Sequence, residues 1–335
     1  MKAKALLCDE RQAFSTTDVV LPDTGPEDIL IRALCSGVSI GTEFALIRGK
    51  LSWGPYPICT GYQAVGIVEE VGAGCDRFKP GDKVYYRDNR HIALPDGQTV
   101  SGVSGTHCSY ALVNTRATHG LEHLPAGVAD DVASLFVMPA VGLNGVDMAN
   151  VRMGDTVVVH GAGLIGLGNV AFCSQRGAVV IAVDLDPRRL EIARKLGADY
   201  LIDASFQDVS QAVERIAPGG ADVVFEATGI PACIDTAFTL CRKHGKFVYQ
   251  GNYGAAPVSF RFLVPHGKRL TTFFPCDDGL EPCRRAVLKN MAQGVLPWEY
   301  TITHRIEAED SAEFYTAINQ GQAQDVVGAV IHWSS

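Results

Sequence analysis

The chain has 335 residues, 47% of them hydrophobic and 20% charged, and a formal net charge of −8 at pH 7. This length exceeds what one hydrophobic core usually serves, which predicts two domains, and the negative charge argues against a nucleic-acid partner. No apolar run approaches the roughly 20 residues of a membrane span. Ten scattered cysteines favour reduced thiols and a cytoplasmic location over a disulfide framework.

The first third of the chain has the pattern of strands and turns. Apolar segments alternate or run continuously between Gly and Pro residues, which is typical of short strands joined by tight turns. The predicted strands are residues 2–7, 28–36, 63–71 and 83–86.

From about residue 130 the pattern changes to alternating helices and strands. The predicted strands are 156–160, 179–183, 200–202, 223–226 and 246–250, and the helices between them include 188–196 and 207–216. This alternation predicts an α/β fold with a doubly wound parallel sheet. A predicted helix at 308–319 and a strand at 329–333 close the chain and are expected to return to the first domain.

The strand at 156–160 runs directly into a G-x-G-x-x-G motif formed by Gly161, Gly163 and Gly166. The first glycine permits the tight turn, the second lets the backbone approach a pyrophosphate, and the third lets the helix pack on the strand. Asp184 ends the next strand, about 20 residues on, where a dinucleotide site needs a carboxylate. The predicted cofactor contacts are Gly161, Gly163, Leu164, Ile165, Gly166, Asp184, Arg189, Thr228 and Gly251.

Asp184 also discriminates between the two nicotinamide dinucleotides. A carboxylate accepts hydrogen bonds from the adenosine ribose hydroxyls and repels a 2′-phosphate, so NAD is favoured over NADP. Arg189 is the counter-argument, because a guanidinium five residues later could meet that phosphate. We expect Arg189 instead along the adenosine edge or on the solvent face of its helix.

Several motifs in order resemble the medium-chain dehydrogenase/reductase superfamily, which includes zinc alcohol and sorbitol dehydrogenases. Residues 61–66 resemble its G-H-E-x-x-G, residues 80–84 its P-G-D-x-V, and residues 105–110 its G-T-x-A-E-Y. The resemblance implies a strand-rich GroES-like catalytic domain at 1–137 and 274–335 and a Rossmann domain at 138–273. It also implies hydride transfer with a nicotinamide cofactor.

The positions that hold catalytic zinc in the family carry other residues here. They are Ser39 or Ile40, depending on a one-residue insertion, then Tyr62, then Met138 or a neighbour. None is a normal zinc ligand, and residues 87–105 lack the four cysteines of the family's structural zinc lobe. The sequence therefore predicts that both metals are absent. A different metal site, built from Glu43, Gln63, His91 and His107, is disfavoured, because such residues are more often hydrogen-bonded or solvated.

Without zinc, another group must stabilise the developing alkoxide and carry the proton. Tyr62 is the first candidate, although its ordinary pKa near 10 would need lowering. Thr42 is the second, because it resembles the Ser/Thr that relays a proton in zinc-containing relatives. Glu43 could be the terminal base or could only orient the loop.

The substrate is indicated only by the residues expected to border it. Ser39, Trp53, Tyr56 and Asn144 are the predicted substrate contacts, with Asn144 also able to bind the cofactor amide. A polyol, cyclitol or sugar-like secondary alcohol would suit them. Residues 36–43 also resemble the turn of bacteriochlorophyllide hydroxyethyl dehydrogenases, but this local likeness does not carry a substrate with it.

Three functions remain open on sequence alone. The first is a zinc-independent, NAD-dependent dehydrogenase of secondary alcohols or ketones. The second is an NAD(P)H-dependent double-bond or quinone reductase, and the third is a nucleotide-binding relative without catalysis. The family resemblance further implies a homodimer or homotetramer joined through an edge strand, for which residues 258–264 are the candidate.

Overall fold

The computed structural model describes residues 1–51, 54–89, 91–102, 104–116 and 120–333. It divides the chain into two units, each of which is described by itself. Unit 1 comprises Met1–Phe136 and Leu288–Ser335, and unit 2 comprises Val137–Val287. None of the helices in the described part of the chain has the length and apolar character that a bilayer crossing requires.

Unit 1 begins with short strands and two helices. In chain order these are β1 (Lys2–Cys8), β2 (Phe14–Val20), β3 (Asp28–Val38), α1 (Ile40–Ile47), β4 (Ile58–Cys59), β5 (Ala64–Val71), β6 (Lys83–Tyr86), β7 (Ile92–Ala93), β8 (Thr99–Gly102), β9 (Tyr110–Asn114), β10 (Leu121–His123) and α2 (Asp130–Ala133). Strands β1, β2, β7, β8 and β4 close a small barrel. The predicted strands are confirmed with boundaries that differ by at most two residues.

Unit 2 alternates strands and helices. Its elements are α3 (Val137–Met148), β11 (Thr156–His160), α4 (Leu164–Gln175), β12 (Val179–Asp184), α5 (Pro187–Lys195), β13 (Tyr200–Asp203), α6 (Val209–Ile216), β14 (Ala221–Glu226), α7 (Ile234–Leu240), β15 (Cys241–Tyr249), α8 (Leu263–Lys268), β16 (Thr271–Phe273) and α9 (Leu280–Ala292). The sheet has the order β13-β12-β11-β14-β15-β16, with every neighbouring pair parallel. This is the predicted doubly wound sheet, and its strand order reverses at β11 and β14, where such folds bind ligands.

The C-terminal segment returns to unit 1, as expected. It contains β17 (Ile302–Glu307), α10 (Ser311–Asn319) and β18 (Gly328–His332). Strand β18 pairs with β3 in antiparallel register, with Ile331 opposite Ser36, and completes the sheet order β10-β6-β5-β3-β18-β17. This pairing brings the two ends of the sequence into one core.

Two predictions need correction. Residues 258–264 are not a strand: 258–262 lie outside helices and strands, and Leu263 and Val264 open helix α8, where Pro265 follows and has no amide to give a sheet ladder. The edge strand is β16 instead. The domain boundary also lies at residue 287 rather than 273, since Phe274 stacks on Tyr249 and Asn144 holds the following turn within unit 2.

Candidate active site

The glycine-rich turn joins β11 to α4 in unit 2. Gly161 has φ 105°, a conformation that only glycine adopts readily, and a Cβ on Gly166 would lie 1.9 Å from the Gly161 carbonyl oxygen. A Cβ on Gly163 would instead meet, among the described residues, one heavy atom within 4 Å, Nη1 of Arg189 at 3.9 Å. Leu164 and Ile165 open the helix, and the first amides of a helix lack intrahelical partners. Open space at a positive helix end suits a pyrophosphate.

Asp184 joins the end of β12 to this turn. Its Oδ2 accepts the Ala162 amide at 2.7 Å, and its Oδ1 accepts the Asp186 amide at 3.0 Å. Each carboxylate oxygen has a second lone pair, so the side chain can still accept hydrogen bonds from ribose hydroxyls. Arg189, on α5, extends toward Gly163 and thus borders the same opening.

The turns after β14 and β15 contain the other predicted cofactor contacts. Thr228 donates its hydroxyl to the buried carboxylate of Glu226, which also accepts a hydrogen bond from the Tyr253 hydroxyl. A Cβ on Gly251 would lie 2.3 Å from the Gly229 amide nitrogen, so close packing of the two turns requires glycine there. Sequence reasoning did not assign Glu226 a role, although a carboxylate ending an apolar strand was a signal.

Two apolar residues to which sequence reasoning assigned no role follow strands at the carboxyl end of the parallel sheet, where the glycine-rich turn also lies. Leu185 follows β12 and is 65% exposed, and Ile230 follows β14 closely and is 51% exposed. Strands β12 and β14 flank β11 on either side. Apolar residues soon after predicted strands were the signal available in the sequence. Their exposed side chains offer a surface for an apolar ring such as adenine.

Asn144 lies on α3, is half-buried, and is hydrogen-bonded to the protein backbone. Its Nδ2 donates to the carbonyl oxygens of Cys276 at 3.3 Å and Asp277 at 3.4 Å. It therefore holds the turn that follows β16.

Tyr62 is the centre of a polar cluster in unit 1. It is 9% exposed, and its hydroxyl donates to Ser39 Oγ and is also hydrogen-bonded to Thr42. The Arg87 guanidinium lies 5.5 Å from the centre of the Tyr62 ring, and its Nε donates to the Tyr62 carbonyl at 3.1 Å. Burial raises the pKa of Tyr62 to about 12, although its hydrogen bonds with Ser39 and Thr42 act to lower it. An acid at this position was expected to need a pKa below the ordinary value for Tyr62. In this structure the pKa of Tyr62 is raised instead.

Glu43 is fully buried on α1 and reaches the cluster through Ser39. Its Oε1 accepts the Ser39 amide at 2.7 Å, and its Oε2 contacts His107 Nε2 at 3.0 Å and accepts from the Tyr315 hydroxyl at 2.7 Å. Burial acts to raise the pKa of Glu43, but His107 and the hydrogen bonds hold it below the ordinary value. Each carboxylate oxygen of Glu43 thus has at least one protein partner.

Tyr56 does not join the cluster, and its hydroxyl donates to the Ile47 carbonyl at 3.1 Å. Trp53, the other predicted aromatic contact, lies outside the described residues. Of the residues predicted from sequence in unit 1, the structure therefore brings together Ser39, Thr42, Glu43 and Tyr62.

The donor atoms at the expected zinc positions do not suit a metal. Ser39 and Tyr62 are hydrogen-bonded to each other, and Met138 is 4% exposed within α3. Across residues 1–333, with the gaps at 52–53, 90, 103 and 117–119, no group of three or more His, Cys, Asp or Glu side chains could hold a metal ion. Hydroxyl, phenol and thioether groups do not form a normal zinc site.

Comparison with known proteins matches dehydrogenase families in both the N-terminal and the C-terminal parts of the chain. The family model for the alcohol dehydrogenase GroES-like domain matches residues 25–123, and the zinc-binding dehydrogenase model matches residues 165–293. The 5-exo-hydroxycamphor dehydrogenase of Pseudomonas putida is 30% identical over 78% of this chain and 81% of that protein. The sorbitol dehydrogenase of Bacillus subtilis is 26% identical over 78% of this chain and 79% of that protein.

A solved structure extends the likeness to the whole fold. The crystal structure of 2R,3R-butanediol dehydrogenase from Bacillus subtilis superposes with a TM-score of 0.85 at 23% identity, covering 98% of this chain and 99% of that one. The motif order, the fold of each unit and the relatives all agree. The chain belongs to the zinc-type medium-chain dehydrogenase/reductase superfamily.

Proposed function

We propose that this protein is a zinc-independent, NAD-dependent dehydrogenase that interconverts a secondary alcohol and the matching ketone. The observation that carries the proposal is the hydrogen bonding of Tyr62 to Ser39 and Thr42, at a residue that the resemblance of residues 61–66 to G-H-E-x-x-G aligns with a zinc-ligand histidine. A phenol with two hydroxyl partners can give and regain a proton. Such a phenol can stabilise the developing alkoxide by hydrogen bonding and proton transfer, a stabilisation that zinc provides in zinc-containing dehydrogenases.

In ketone reduction, the Tyr62 hydroxyl, which donates to Ser39 in this structure, would donate instead to the carbonyl oxygen, and its proton transfers as negative charge develops there. An alkoxide is a much stronger base than a phenolate, so this transfer is favourable even from a phenol with a pKa of about 12. A proton from solvent then reaches the phenolate oxygen through the Ser39 or Thr42 hydroxyl, which gives its own proton to Tyr62 as it takes up another. In alcohol oxidation the protons move along the same path in reverse.

The cofactor would be held by the glycine-rich turn of unit 2. Gly163 leaves room for the pyrophosphate, the amides of Leu164 and Ile165 donate to it, and Asp184 accepts from the adenosine ribose. A nicotinamide dinucleotide bound there would supply the hydride for reduction or accept it in oxidation. Asp184 supports NAD over NADP, because its carboxylate would repel a 2′-phosphate.

The substrate class is proposed from the polar side chains near Tyr62. Arg87, Ser39 and Thr42 offer hydrogen bonds to a molecule with several hydroxyl groups, which suits a polyol, cyclitol or sugar-like alcohol. The names of the relatives, sorbitol dehydrogenase and 5-exo-hydroxycamphor dehydrogenase, support a secondary alcohol in general.

Nicotinamide absorbance with substrate panels tests the reaction class. We expect turnover with NAD and polyols or cyclic secondary alcohols. Turnover confined to NADPH with enones would favour a double-bond reductase, and binding without turnover in both panels would favour a non-catalytic protein. One stoichiometric zinc per chain, found by metal analysis of purified protein, would contradict zinc independence.

The variant Tyr62→Phe tests the proposed acid. We expect kcat to fall roughly 100- to 10,000-fold, the usual contribution of a positioned acid or base, with the NAD dissociation constant unchanged. Tyr110→Phe is the matched control, because it removes a half-buried hydroxyl elsewhere in unit 1 and should leave kcat near wild type. Near-normal turnover of both Tyr62→Phe and Thr42→Ala would rule out this acid and its relay.

A further inference from the structure

Behind Tyr62 and Ser39, unit 1 contains a continuous buried network of polar side chains. The Trp333 indole donates to Ser36 Oγ at 2.8 Å, Ser36 Oγ contacts His107 Nδ1 at 2.8 Å, and His107 Nε2 contacts Glu43 Oε2 at 3.0 Å. The Tyr315 hydroxyl lies within hydrogen-bond distance of both Glu43 and His107. We call these five residues the Glu43 network.

The network surrounds the buried carboxylate of Glu43. Glu43, His107, Tyr315 and Ser36 are all fully buried. An ionised carboxylate in such surroundings is costly unless hydrogen bonds compensate for its lost hydration. Here the Ser39 amide, His107 and the Tyr315 hydroxyl provide them. Because Glu43 is fully buried, a substrate has no direct approach to its carboxylate.

Ser39 is where the network meets the proposed acid. Ser39 is the N-cap residue of α1, a position at which a serine hydroxyl normally accepts an amide of the first helical turn. Its side chain makes no such bond here, and its hydroxyl accepts the Tyr62 phenol instead. Glu43 reaches back from the first turn to hold the Ser39 amide. The backbone contact therefore fixes Ser39 while its hydroxyl stays available.

We propose that Glu43 and His107, braced by Ser36, Tyr315 and Trp333, are positioning residues that hold the Ser39 hydroxyl against Tyr62. This inference rests on the proposed function, in which Tyr62 is the acid and Ser39 its relay partner. Glu43 acts through the Ser39 backbone and takes no substrate proton. The role differs from the terminal base that the sequence allowed.

A double-mutant cycle between Glu43→Gln and Ser39→Ala tests the coupling. The glutamine keeps the shape of the side chain but removes the charge, and we expect kcat to fall about tenfold, the equivalent of one lost hydrogen bond. Substrate KM and the NAD dissociation constant should not change. In the Ser39→Ala background, Glu43→Gln should cause no further loss, because Glu43 acts only through Ser39. Additive losses would overturn the inference.

The pH dependence of kcat separates positioning from proton transfer. If Glu43 only positions Ser39, Glu43→Gln lowers kcat by the same factor at every pH. Loss of an acidic limb from the profile would mean that Glu43 itself exchanges the proton, and would overturn the inference. Should Glu43→Gln not fold, Ser36→Ala removes only the hydroxyl that contacts His107 Nδ1, and it should show a smaller loss that again vanishes in the Ser39→Ala background.

A crystal structure of Glu43→Gln distinguishes failure of this inference from failure of the proposed function. If Tyr62→Phe is as active as wild type, the proposed function fails. The crystal structure of Glu43→Gln would still show whether Glu43 holds the Ser39 hydroxyl against Tyr62. We expect the distance between Ser39 Oγ and the Tyr62 hydroxyl to exceed about 3.5 Å in the variant, beyond hydrogen-bond range. An unchanged contact together with an unchanged kcat would overturn the inference.

Discussion

Asp184 has a structural role in addition to the ribose contact proposed for it, which sharpens a prediction about cofactor choice. Because its carboxylate also accepts the Ala162 amide, Asp184→Ala loses support for the glycine-rich turn as well as the ribose contact. We expect NAD affinity to fall roughly 10- to 150-fold, as for the loss of a charged hydrogen bond, and NADP affinity to fall much less. Isothermal titration with both dinucleotides gives the ratio of the two affinities.

Asp199→Ala is the matched control for this experiment. Asp199 also accepts a backbone amide of β12, that of Val180 at 2.8 Å, but at the opposite end of the strand from Asp184. Its loss should leave the ratio of NAD to NADP affinity unchanged. An equal loss of both affinities in Asp184→Ala would remove Asp184 from the discrimination between cofactors.

Single residues also mark the limit of sequence reasoning. The glycine motif and Asp184 were readable because local geometry and spacing dictate them. The environment of Tyr62 was not, because burial raises its pKa and burial depends on chain segments distant in sequence. The sequence could identify the Tyr62 phenol as a candidate acid, but it could not predict whether the pKa of that phenol is raised or lowered.

Among the elements, the strands and helices with clear periodicity were predictable and the short ones were not. Strands β11 and β6 match their predicted boundaries because continuous apolar residues end at turn residues. Strands β4 and β7 have two residues each, too few to produce a period. The predicted strand at 258–264 was wrong, because apolar residues in a short segment do not by themselves distinguish a strand from the irregular chain and helix start found there.

A buried ion pair fixes the start of α9. Arg284 and Asp278 are both fully buried, and Arg284 Nη2 donates to Asp278 Oδ1 at 2.7 Å. Asp278 Oδ1 also accepts the Leu280 amide, which opens the helix. Breaking such a pair leaves an uncompensated buried charge, so we expect Asp278→Asn to lower the free energy of unfolding of unit 2 by about 3–5 kcal/mol.

Asp277→Asn is the control for that loss. Asp277 is exposed and has φ 65°, a conformation that asparagine tolerates, so its replacement should change stability by no more than about 0.5 kcal/mol. The tryptophans, at positions 53, 298 and 333, lie outside unit 2, so circular dichroism or hydrogen exchange must report its unfolding. Equal stability of the two variants would contradict a stabilising role for the ion pair.

For the whole molecule, the sequence predicted the two-part organisation but not the contacts that close each part. The order of motifs indicated a strand-rich unit, a nucleotide-binding unit and a returning C-terminus. The Glu43 network could not be predicted from the sequence. The pairing of β18 with β3 brings Trp333 to Ser36, and these residues are separated by almost the full length of the sequence. Contacts of this kind depend on register between distant strands, which local patterns do not encode.

Assembly is the remaining property of the whole molecule, and unit 2 carries features that favour a dimer. Strand β16 ends the sheet and, among the strands that the structure describes, pairs with β15 alone, so its outer edge can offer backbone groups to another strand. The chain near this edge exposes large apolar side chains, namely Phe262 at 63%, Leu263 at 77% and Phe274 at 69%. An apolar surface beside an open edge is typical of an interface between two copies.

We therefore predict a homodimer in which β16 pairs with its counterpart in a second chain. Light scattering at micromolar protein should give at least twice the mass of one chain. The double variant Thr272→Pro, Leu263→Glu removes an edge amide and places a charge in the apolar surface, so it should give the mass of a monomer. Phe206→Glu is the control, because Phe206 is 78% exposed but follows β13 at the opposite edge of the sheet. A monomeric wild type, or a double variant that still dimerises, would contradict pairing through β16.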